Sequence, residues 1–212
     1  MQAFSIDVPD EQLRDLHARL AQTRFPDGVE SAGWDYGTDL GFLRKLVAYW
    51  GEDFDWRAAE QALNGYPQFS TDIDGVRLHF VHARAQGGTA TPLLLLNGWP
   101  SNFVELLPLV SRLTQPENGQ AFDMIIPSLV GFGFSPHPRS KGMNLTQIAH
   151  LFAKLMTELG YDRFLVSGSD LGAGVELSLV RNYPERVIGA HYCNVYSRYP
   201  RPENPTEAEK AY

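Results

Sequence analysis

From about residue 70 onward, short apolar runs alternate along the chain with segments of helical spacing. The clearest helical segment is 145–159, in which apolar side chains recur every three or four residues. Asn144 precedes it as a predicted cap, and Gly160 follows its end. Runs that are apolar on both faces indicate central strands of a parallel sheet, and their alternation with helices predicts a doubly wound α/β fold with helices on both faces. The runs are 93–96, 124–126, 164–166 and 187–190.

Residues 1–70 show a different pattern, with short helical segments among turns and aromatic residues. The first helix is predicted to begin at Asp10, which we expect to cap it, and the second to include 43–50. Such a segment cannot bury its aromatic side chains alone, so we expect a meander that wraps over another domain. Directly after it, Asp74-Gly75 predicts a tight hairpin between two strands.

The composition is that of a soluble protein that forms a hydrophobic core. The chain has 212 residues, of which 43% are hydrophobic and 20% charged, and its formal net charge is −7. Its length allows one ordinary domain or part of a larger one. The acidic balance, without a basic stripe, argues against nucleic acid or an anionic membrane as a partner.

Metal sites, disulfides and targeting segments are not indicated by the sequence. Cys193 is the only cysteine, which excludes a disulfide framework and a cysteine-based metal cluster. The histidines show no ligand spacing, so we expect no metal. The first seven residues have no targeting pattern, and the longest apolar stretch, 92–96, is far too short to span a bilayer. We therefore expect a cytoplasmic protein without a membrane anchor.

Three loops follow predicted strands at the edge of the sheet where α/β proteins place their sites: 97–100, 131–135 and 168–172. In the third loop, glycines two positions before and two positions after Asp170 permit a strained strand-to-helix turn that exposes the central side chain. Ser169 lies one position before the centre of this turn, so a serine nucleophile is much less favoured here than an aspartate nucleophile. Two interpretations of Asp170 stay open: a carboxylate nucleophile that forms an ester with a carbon electrophile, or a helix cap.

An ordered set of short motifs, spread over nearly the whole chain, resembles the N-terminal half of microsomal-type epoxide hydrolases. The resemblance implies an α/β-hydrolase fold with an N-terminal extension, no cofactor, and a small hydrophobic epoxide as substrate. It also implies that Asp170 is the nucleophile and that the backbone amides of Trp99 and Leu171 form the oxyanion hole. The motifs are Ile6-Asp7-Val8-Pro9, Arg24-Phe25-Pro26-Asp27, Trp34-Asp35-Tyr36-Gly37, Leu63-Asn64, Tyr66-Pro67-Gln68-Phe69, Ile73-Asp74-Gly75, Gly98-Trp99-Pro100-Ser101, Pro127-Ser128-Leu129, Gly133-Phe134-Ser135 and Pro184-Glu185-Arg186-Val187.

Two positions beside these motifs depart from the family pattern. Asn97 stands where the family usually has His, and Leu171 where it usually has Trp. Because the oxyanion hole uses backbone N–H groups, neither change removes a donor. We expect Asn97 to hold its loop by hydrogen bonds and Leu171 to leave a wider pocket. Trp99 and Phe132 either line that pocket and bind the substrate or are core aromatic residues.

The family's catalytic acid, histidine and lid tyrosines all lie beyond the position that matches residue 212. We therefore expect a meander over 1–70, the first half of an α/β-hydrolase core over 71–197, and the start of a lid over 198–212, with the rest of the lid and the last strands absent. His191 is predicted to be a core or surface residue, not a substitute base. We expect the chain alone to be poorly soluble, oligomeric or paired with a complementary C-terminal chain.

Hydrolysis of an epoxide to a vicinal diol is the leading hypothesis, with two alternatives. A haloalkane or haloacid dehalogenase also uses an aspartate nucleophile, but it often has a tryptophan after the nucleophile as a halide donor, where this chain has Leu171. The other alternative is a catalytically inactive α/β-hydrolase that binds a small ligand or a partner chain. Labelling with an epoxide distinguishes the hydrolase from the binding module, because the hydrolase should form an ester on Asp170 and the binding module should form none.

Overall fold

The computed structural model describes residues 1–86, 89–115, 119–194 and 206–207. Its strands are β1 (Gln2–Ala3), β2 (Gln68–Ile73), β3 (Val76–Ala83), β4 (Thr91–Leu96), β5 (Phe122–Pro127), β6 (Phe164–Gly168) and β7 (Val187–Tyr192). Its α-helices are α1 (Asp10–Ala21), α2 (Leu40–Glu52), α3 (Trp56–Leu63), α4 (Pro108–Thr114), α5 (Leu145–Glu158) and α6 (Leu171–Asn182), and a 3₁₀ helix spans Phe103–Leu106. Strands and helices alternate from β4 onward, as the sequence predicts.

Within the described residues, the strands form a seven-stranded sheet with the order β1-β2-β3-β5-β4-β6-β7. β2, β4, β5, β6 and β7 run in one direction and β1 and β3 in the other, so most strands are parallel, as predicted. The first three apolar runs form central strands. The run 187–190 differs from the prediction, because among the described residues β7 is an edge strand on which Ile188 and Ala190 are exposed.

Helices cover both faces of the sheet. Crossovers between parallel strands are right-handed, so the step from β4 to β5 places α4 on one face. The steps from β5 to β6 and from β6 to β7 run the other way and place α5 and α6 on the opposite face. Leu94 and Leu96 of β4 are buried in the cluster that contains α5 and α6, whereas Leu93 and Leu95 line a groove with residues of α4. The winding therefore reverses at β4, and ligands of such sheets bind beside the carboxyl ends of the strands at that point.

Two local signals in the sequence are confirmed by the backbone. Asp74 and Gly75 have positive φ angles of 51° and 76° and join β2 to β3 in the predicted hairpin. Asn144 caps α5, because its Oδ1 accepts a hydrogen bond from the N–H of Gln147 at 3.0 Å. Gly160, with φ of 84°, follows the end of the same helix.

The chain divides into two compact units, Ser5–Tyr66 and a second unit that joins Met1–Phe4 to Pro67–Tyr212. The second unit includes the first residues because β1 pairs with β2. The domain boundaries expected from the sequence stay predictions, and all but two residues of the expected lid segment, 198–212, lie outside the described residues. Within the described part of the chain, no helix has the length and apolar character needed to cross a membrane.

The first unit contains α1, α2 and α3. α1 begins where the sequence predicts, but the predicted cap is wrong: Pro9 occupies the N-cap position and Asp10 is the first helical residue. The Asp10 carboxylate pairs instead with Arg57 of α3, and an acidic side chain in the first turn is favoured by the helix dipole. Asn64 makes two hydrogen bonds of 2.8 Å to the backbone of Ile6, which tie the start of this unit to its end.

Candidate active site

The loop between β6 and α6 makes the sharp turn that its glycines predict. Asp170 has φ of 49° and ψ of −118°, a backbone conformation that residues other than glycine rarely adopt. A Cβ atom on Gly168 would lie 2.6 Å from the carbonyl carbon of Gly172, and one on Gly172 would lie 2.5 Å from the carbonyl oxygen of Leu96. Neither glycine has room for a side chain, so close backbone approach fixes the position of Asp170.

The Asp170 carboxylate faces the loop that follows β4. The backbone N–H of Trp99 donates a hydrogen bond to its Oδ1 at 3.0 Å. Gly98 lies so close that a Cβ atom there would overlap the Cβ atom of Asp170. The Asp170 side chain occupies the N-cap position of α6 but makes no capping hydrogen bond. The Asp170 side chain therefore does not cap α6, and its carboxylate lies at the crevice between β4 and β6, where its role as nucleophile stays a prediction.

The two backbone amides predicted for the oxyanion hole come from opposite sides of this crevice. The Trp99 N–H already contacts the carboxylate, as described above. Leu171 is the first residue of α6, where backbone N–H groups have no partner within the helix and the helix dipole favours negative charge. The two loops are joined directly, since the N–H of Ser169 donates to the carbonyl oxygen of Leu96 at 3.2 Å. The oxyanion hole itself stays a prediction.

Asn97 holds the loop after β4, as expected from its amide. The side chain is buried, and its Nδ2 donates to the carbonyl oxygens of Gly98, at 3.0 Å, and Ser101, at 3.2 Å. Its Oδ1 is buried without a hydrogen-bond partner among the described residues. These bonds brace the turn that carries Trp99, in which the Trp99–Pro100 peptide bond is cis.

Asn194, which no motif in the sequence indicates, contacts the candidate nucleophile. Its Oδ1 accepts a hydrogen bond from the backbone N–H of Asp170 at 2.7 Å. The parallel pairing of β6 with β7 brings the two residues together, and the N–H of Cys193 donates to the carbonyl oxygen of Gly168 at 3.1 Å. A polar residue directly after the neighbouring parallel strand was the available signal, because the carboxyl ends of such strands meet at one edge.

A cavity of about 500 Å³ lies beside the turn, within the size range of small-molecule sites. Leu171 and Phe132 both line it, and the wider pocket expected at position 171 stays a prediction. The Trp99 side chain is 64% exposed and is not among the lining residues. Its role in substrate binding stays a prediction, and it is not a core residue. The other lining residues are Leu129, Val130, Gly131, His137, Pro138, Met143, Asn144, Leu145 and Ile148.

Two further titratable side chains lie near the turn. Glu176 of α6 is fully buried, and neither carboxyl oxygen has a hydrogen-bond partner of ordinary geometry in the described chain. Burial raises the pKa of Glu176 to about 8, which interactions with the backbone of Gly168 and of His191 oppose only in part. His191 lies exposed on β7, where its Nδ1 is 3.0 Å from the Ser167 hydroxyl. This surface position agrees with the prediction, and in the described residues no cluster of side chains is placed to hold a metal ion.

Comparison with known proteins identifies the family. A family model described as "Epoxide hydrolase N terminus" matches residues 1–106, and one described as "alpha/beta hydrolase fold" matches residues 91–210. The chain belongs to the epoxide hydrolase family of α/β-hydrolases. The predicted resemblance is confirmed. The two matched regions overlap over residues 91–106, which include β4 and the loop that carries Trp99.

Relatives in bacteria, mammals and insects show the same similarity. A putative epoxide hydrolase of Stigmatella aurantiaca (strain DW4/3-1) is 42% identical over 193 residues, and epoxide hydrolase 1 of Sus scrofa is 36% identical over 197. Each match covers 89% of this chain but only 44% and 43% of the relative. The chain thus spans less than half the length of these curated relatives.

Solved structures of the family have the same fold. The crystal structure of juvenile hormone epoxide hydrolase from the silkworm Bombyx mori superimposes with a TM-score of 0.82 at 31% identity, over 90% of this chain and 52% of that one. The epoxide hydrolase of Aspergillus niger superimposes with a TM-score of 0.83 at 30% identity, over 98% of this chain and 55% of that one. The predicted fold class is therefore confirmed.

Proposed function

We propose that the protein containing this chain hydrolyses an epoxide to a vicinal diol through an ester on Asp170. The observation that carries the proposal is the 3.0 Å hydrogen bond from the Trp99 N–H to Asp170 Oδ1, made across the crevice where the winding of the sheet reverses. Family membership supports the reaction type, and the curated relatives that the chain matches are named as epoxide hydrolases.

In this proposal the two carboxylate oxygens of Asp170 have different tasks, and the hydrogen bond from Trp99 to Oδ1 supports the division. Oδ2 attacks the less hindered epoxide carbon, the carbon–oxygen bond of the ring breaks, and the ring oxygen takes up a proton. Oδ1 then becomes the carbonyl oxygen of the ester, already aimed at the Trp99 N–H. When water attacks the ester carbon, the negative charge that forms on Oδ1 is stabilised by the amides of Trp99 and Leu171. Collapse of this intermediate releases the diol and restores the carboxylate.

The second step needs a base, and we propose that a histidine–carboxylate pair outside this chain supplies it. Lid tyrosines, also outside this chain, would protonate the ring oxygen in the first step. The exposed His191 faces Ser167 and does not take this role. We propose a small apolar epoxide as the substrate, which the apolar lining of the cavity at Leu171 and Phe132 supports. A complementary chain or a second copy that completes the site, and a cytoplasmic location, belong to the same proposal.

Intact-mass measurement after treatment with styrene oxide tests the proposal. The exposed thiol of Cys193 reacts with epoxides, so each variant carries Cys193→Ser. We expect this 212-residue chain by itself, without the base that would release the ester, to gain the mass of one epoxide, and its Asp170→Asn variant to gain none. Asp162→Asn, at an exposed aspartate before β6, is the matched control and should label like the parent. An unlabelled parent, or equal labelling of Asp170→Asn, contradicts the proposal and favours a binding protein.

A further inference from the structure

A histidine that the proposed chemistry does not use is buried beneath the loop that follows β5. His79 lies on β3 and is fully buried. Its Nδ1 is 2.8 Å from the Ser128 hydroxyl, and its Nε2 is 2.9 Å from Gln68 Oε1. Its backbone N–H donates to the Ser135 hydroxyl at 3.0 Å. The imidazole therefore contacts both the start of this loop and a neighbouring strand.

The hydrogen-bond partners select one form of the ring. Because Gln68 Oε1 can only accept, Nε2 carries the proton, and Nδ1 accepts from the Ser128 hydroxyl. The rings of Phe4, Phe103 and Phe134 surround the imidazole, with centroids 4.7, 5.0 and 5.3 Å away. Burial in these surroundings lowers the pKa of His79 to about 4. At neutral pH the ring is uncharged, and both nitrogens are hydrogen-bonded.

The Ser128–Ser135 loop is folded onto this ring. The Ser135 hydroxyl donates to the carbonyl oxygen of Ser128 at 2.9 Å, and the Ser128 N–H donates to the carbonyl oxygen of His79 at 2.9 Å. Gly133, with φ of 54°, passes so near that a Cβ atom there would lie 2.7 Å from the Ser128 hydroxyl oxygen. Phe132, inside the same loop, lines the cavity beside Leu171.

We propose that His79 is a positioning residue whose imidazole holds the Ser128–Ser135 loop, and through it Phe132, in the cavity wall that receives the apolar part of the epoxide. The statement about the loop rests on geometry alone, and the statement about the epoxide rests on the proposed function. A ring that only filled space among the phenylalanines would leave the loop unaffected when its hydrogen bonds were changed.

Two substitutions separate the hydrogen bonds of the ring from one another. The amide of Asn extends about as far as Nδ1 of His, whereas the amide of Gln extends about as far as Nε2. His79→Asn therefore keeps a partner for Ser128, and His79→Gln keeps one for Gln68. Ser128→Ala removes the loop contact while the ring stays. His82→Gln is the matched control, because His82 lies on the same strand but faces the Tyr161 hydroxyl at 3.0 Å.

The first measurement is amide hydrogen exchange of the Ser128–Ser135 peptide in the full chain, with an α5 peptide as the test of folding. We expect exchange to rise by about tenfold or more in His79→Gln and Ser128→Ala, and to stay near the parent rate in His79→Asn and His82→Gln. Unchanged exchange in Ser128→Ala, or equal acceleration by the Asn and Gln variants, overturns the proposal. Should His79→Gln not fold, Ser128→Ala against the parent decides.

The second measurement is the rate of Asp170 labelling against styrene oxide concentration. We expect the half-saturating concentration to rise by about tenfold in Ser128→Ala while the maximal rate changes little, because the loop binds the substrate and does not touch the reacting atoms. An equal fall in the maximal rate of labelling contradicts the positioning role. If the parent protein does not label, the proposed function fails, and hydrogen exchange still decides the role of His79 in the loop.

Discussion

The two loops that border the cavity are held in place by different means. The Gly168–Gly172 turn is fixed by backbone packed against backbone, with no space for a side chain at either glycine. The Ser128–Ser135 loop is fixed by a buried imidazole and two hydroxyl groups. Backbone packing holds Asp170, on which the proposed chemistry depends, and side-chain hydrogen bonds hold a wall of the cavity. We therefore expect substitutions in the turn to affect folding, and substitutions around the loop to affect ligand affinity.

The largest effect is expected from Gly172→Ala. The new Cβ atom would lie 2.5 and 2.7 Å from the carbonyl oxygens of Leu96 and Asn97, which belong to a central strand and its loop and cannot move aside. We expect a loss of about 3 kcal/mol in the free energy of unfolding, measured by urea denaturation.

Gly174→Ala is the matched control for this prediction. Its Cβ atom would lie equally close, at 2.5 Å, to Leu145 Cδ1, which is the end of a flexible side chain. The better helix propensity of Ala, worth about 1 kcal/mol, offsets the rearrangement, so we expect little net change. Equal destabilisation by both substitutions contradicts the claim that the backbone holds the turn.

Glu176 is expected to have a pH-dependent effect of intermediate size on the free energy of unfolding. Its carboxyl has no hydrogen-bond partner of ordinary geometry among the described residues, whereas both ring nitrogens of His79 are hydrogen-bonded. Burial raises its pKa to about 8 in the folded protein, above the ordinary glutamate value of 4.5. Between these values the folded state binds more protons than the unfolded state, so stability falls as pH rises, by about 1.4 kcal/mol per pH unit at most.

Urea denaturation of the parent and of Glu176→Gln between about pH 5 and 8 measures this effect. The stability of the variant relative to the parent should rise steadily with pH, because the amide does not titrate. Glu185→Gln, at an exposed position after α6, should run parallel to the parent. A constant difference between Glu176→Gln and the parent would show that this carboxyl does not change its protonation on folding.

The smallest effect on the free energy of unfolding is expected from Asp170→Gly. Glycine adopts φ of 49° and ψ of −118° without strain, but it cannot accept the Trp99 hydrogen bond. We expect a net gain of about 1 kcal/mol in stability together with complete loss of labelling. Asp74→Gly, in the β2–β3 hairpin with φ of 51°, is the control: it should gain less, because aspartate is well suited to that turn and because the variant also loses the ion pair with Lys154. A destabilised Asp170→Gly contradicts the strain at the turn.

The sequence was sufficient wherever short-range patterns determine the structure. Three of the four apolar runs located central strands, Asp74-Gly75 located the hairpin and Asn144 the start of α5, whereas the run 187–190 forms the edge strand β7 of the described sheet. The spacing of Gly168 and Gly172 around Asp170 also indicated the sharp turn, because the two glycines approach backbone that the turn itself brings near.

The sequence was insufficient wherever a partner comes from a distant part of the chain. The local sequence predicts a cap at Asp10, whereas its carboxylate pairs with Arg57 of α3, a contact that leaves no local pattern. Asn194 reaches the Asp170 amide only through the pairing of β6 with β7. His79 and Ser128 meet because β3 pairs with β5, which the strand order decides and the local sequence does not.

The most direct test of the central claim is the fate of oxygen in a first turnover. The protein, purified from its own source, is mixed in H₂¹⁸O with less than one equivalent of epoxide. The masses of the diol and of the peptide that contains Asp170 are then measured by mass spectrometry. We predict a diol without ¹⁸O and one ¹⁸O atom in that peptide, because the new diol oxygen comes from Asp170 and water restores the carboxylate. A diol that carries ¹⁸O beside an unlabelled peptide would mean that water attacks the epoxide directly, and would contradict the account.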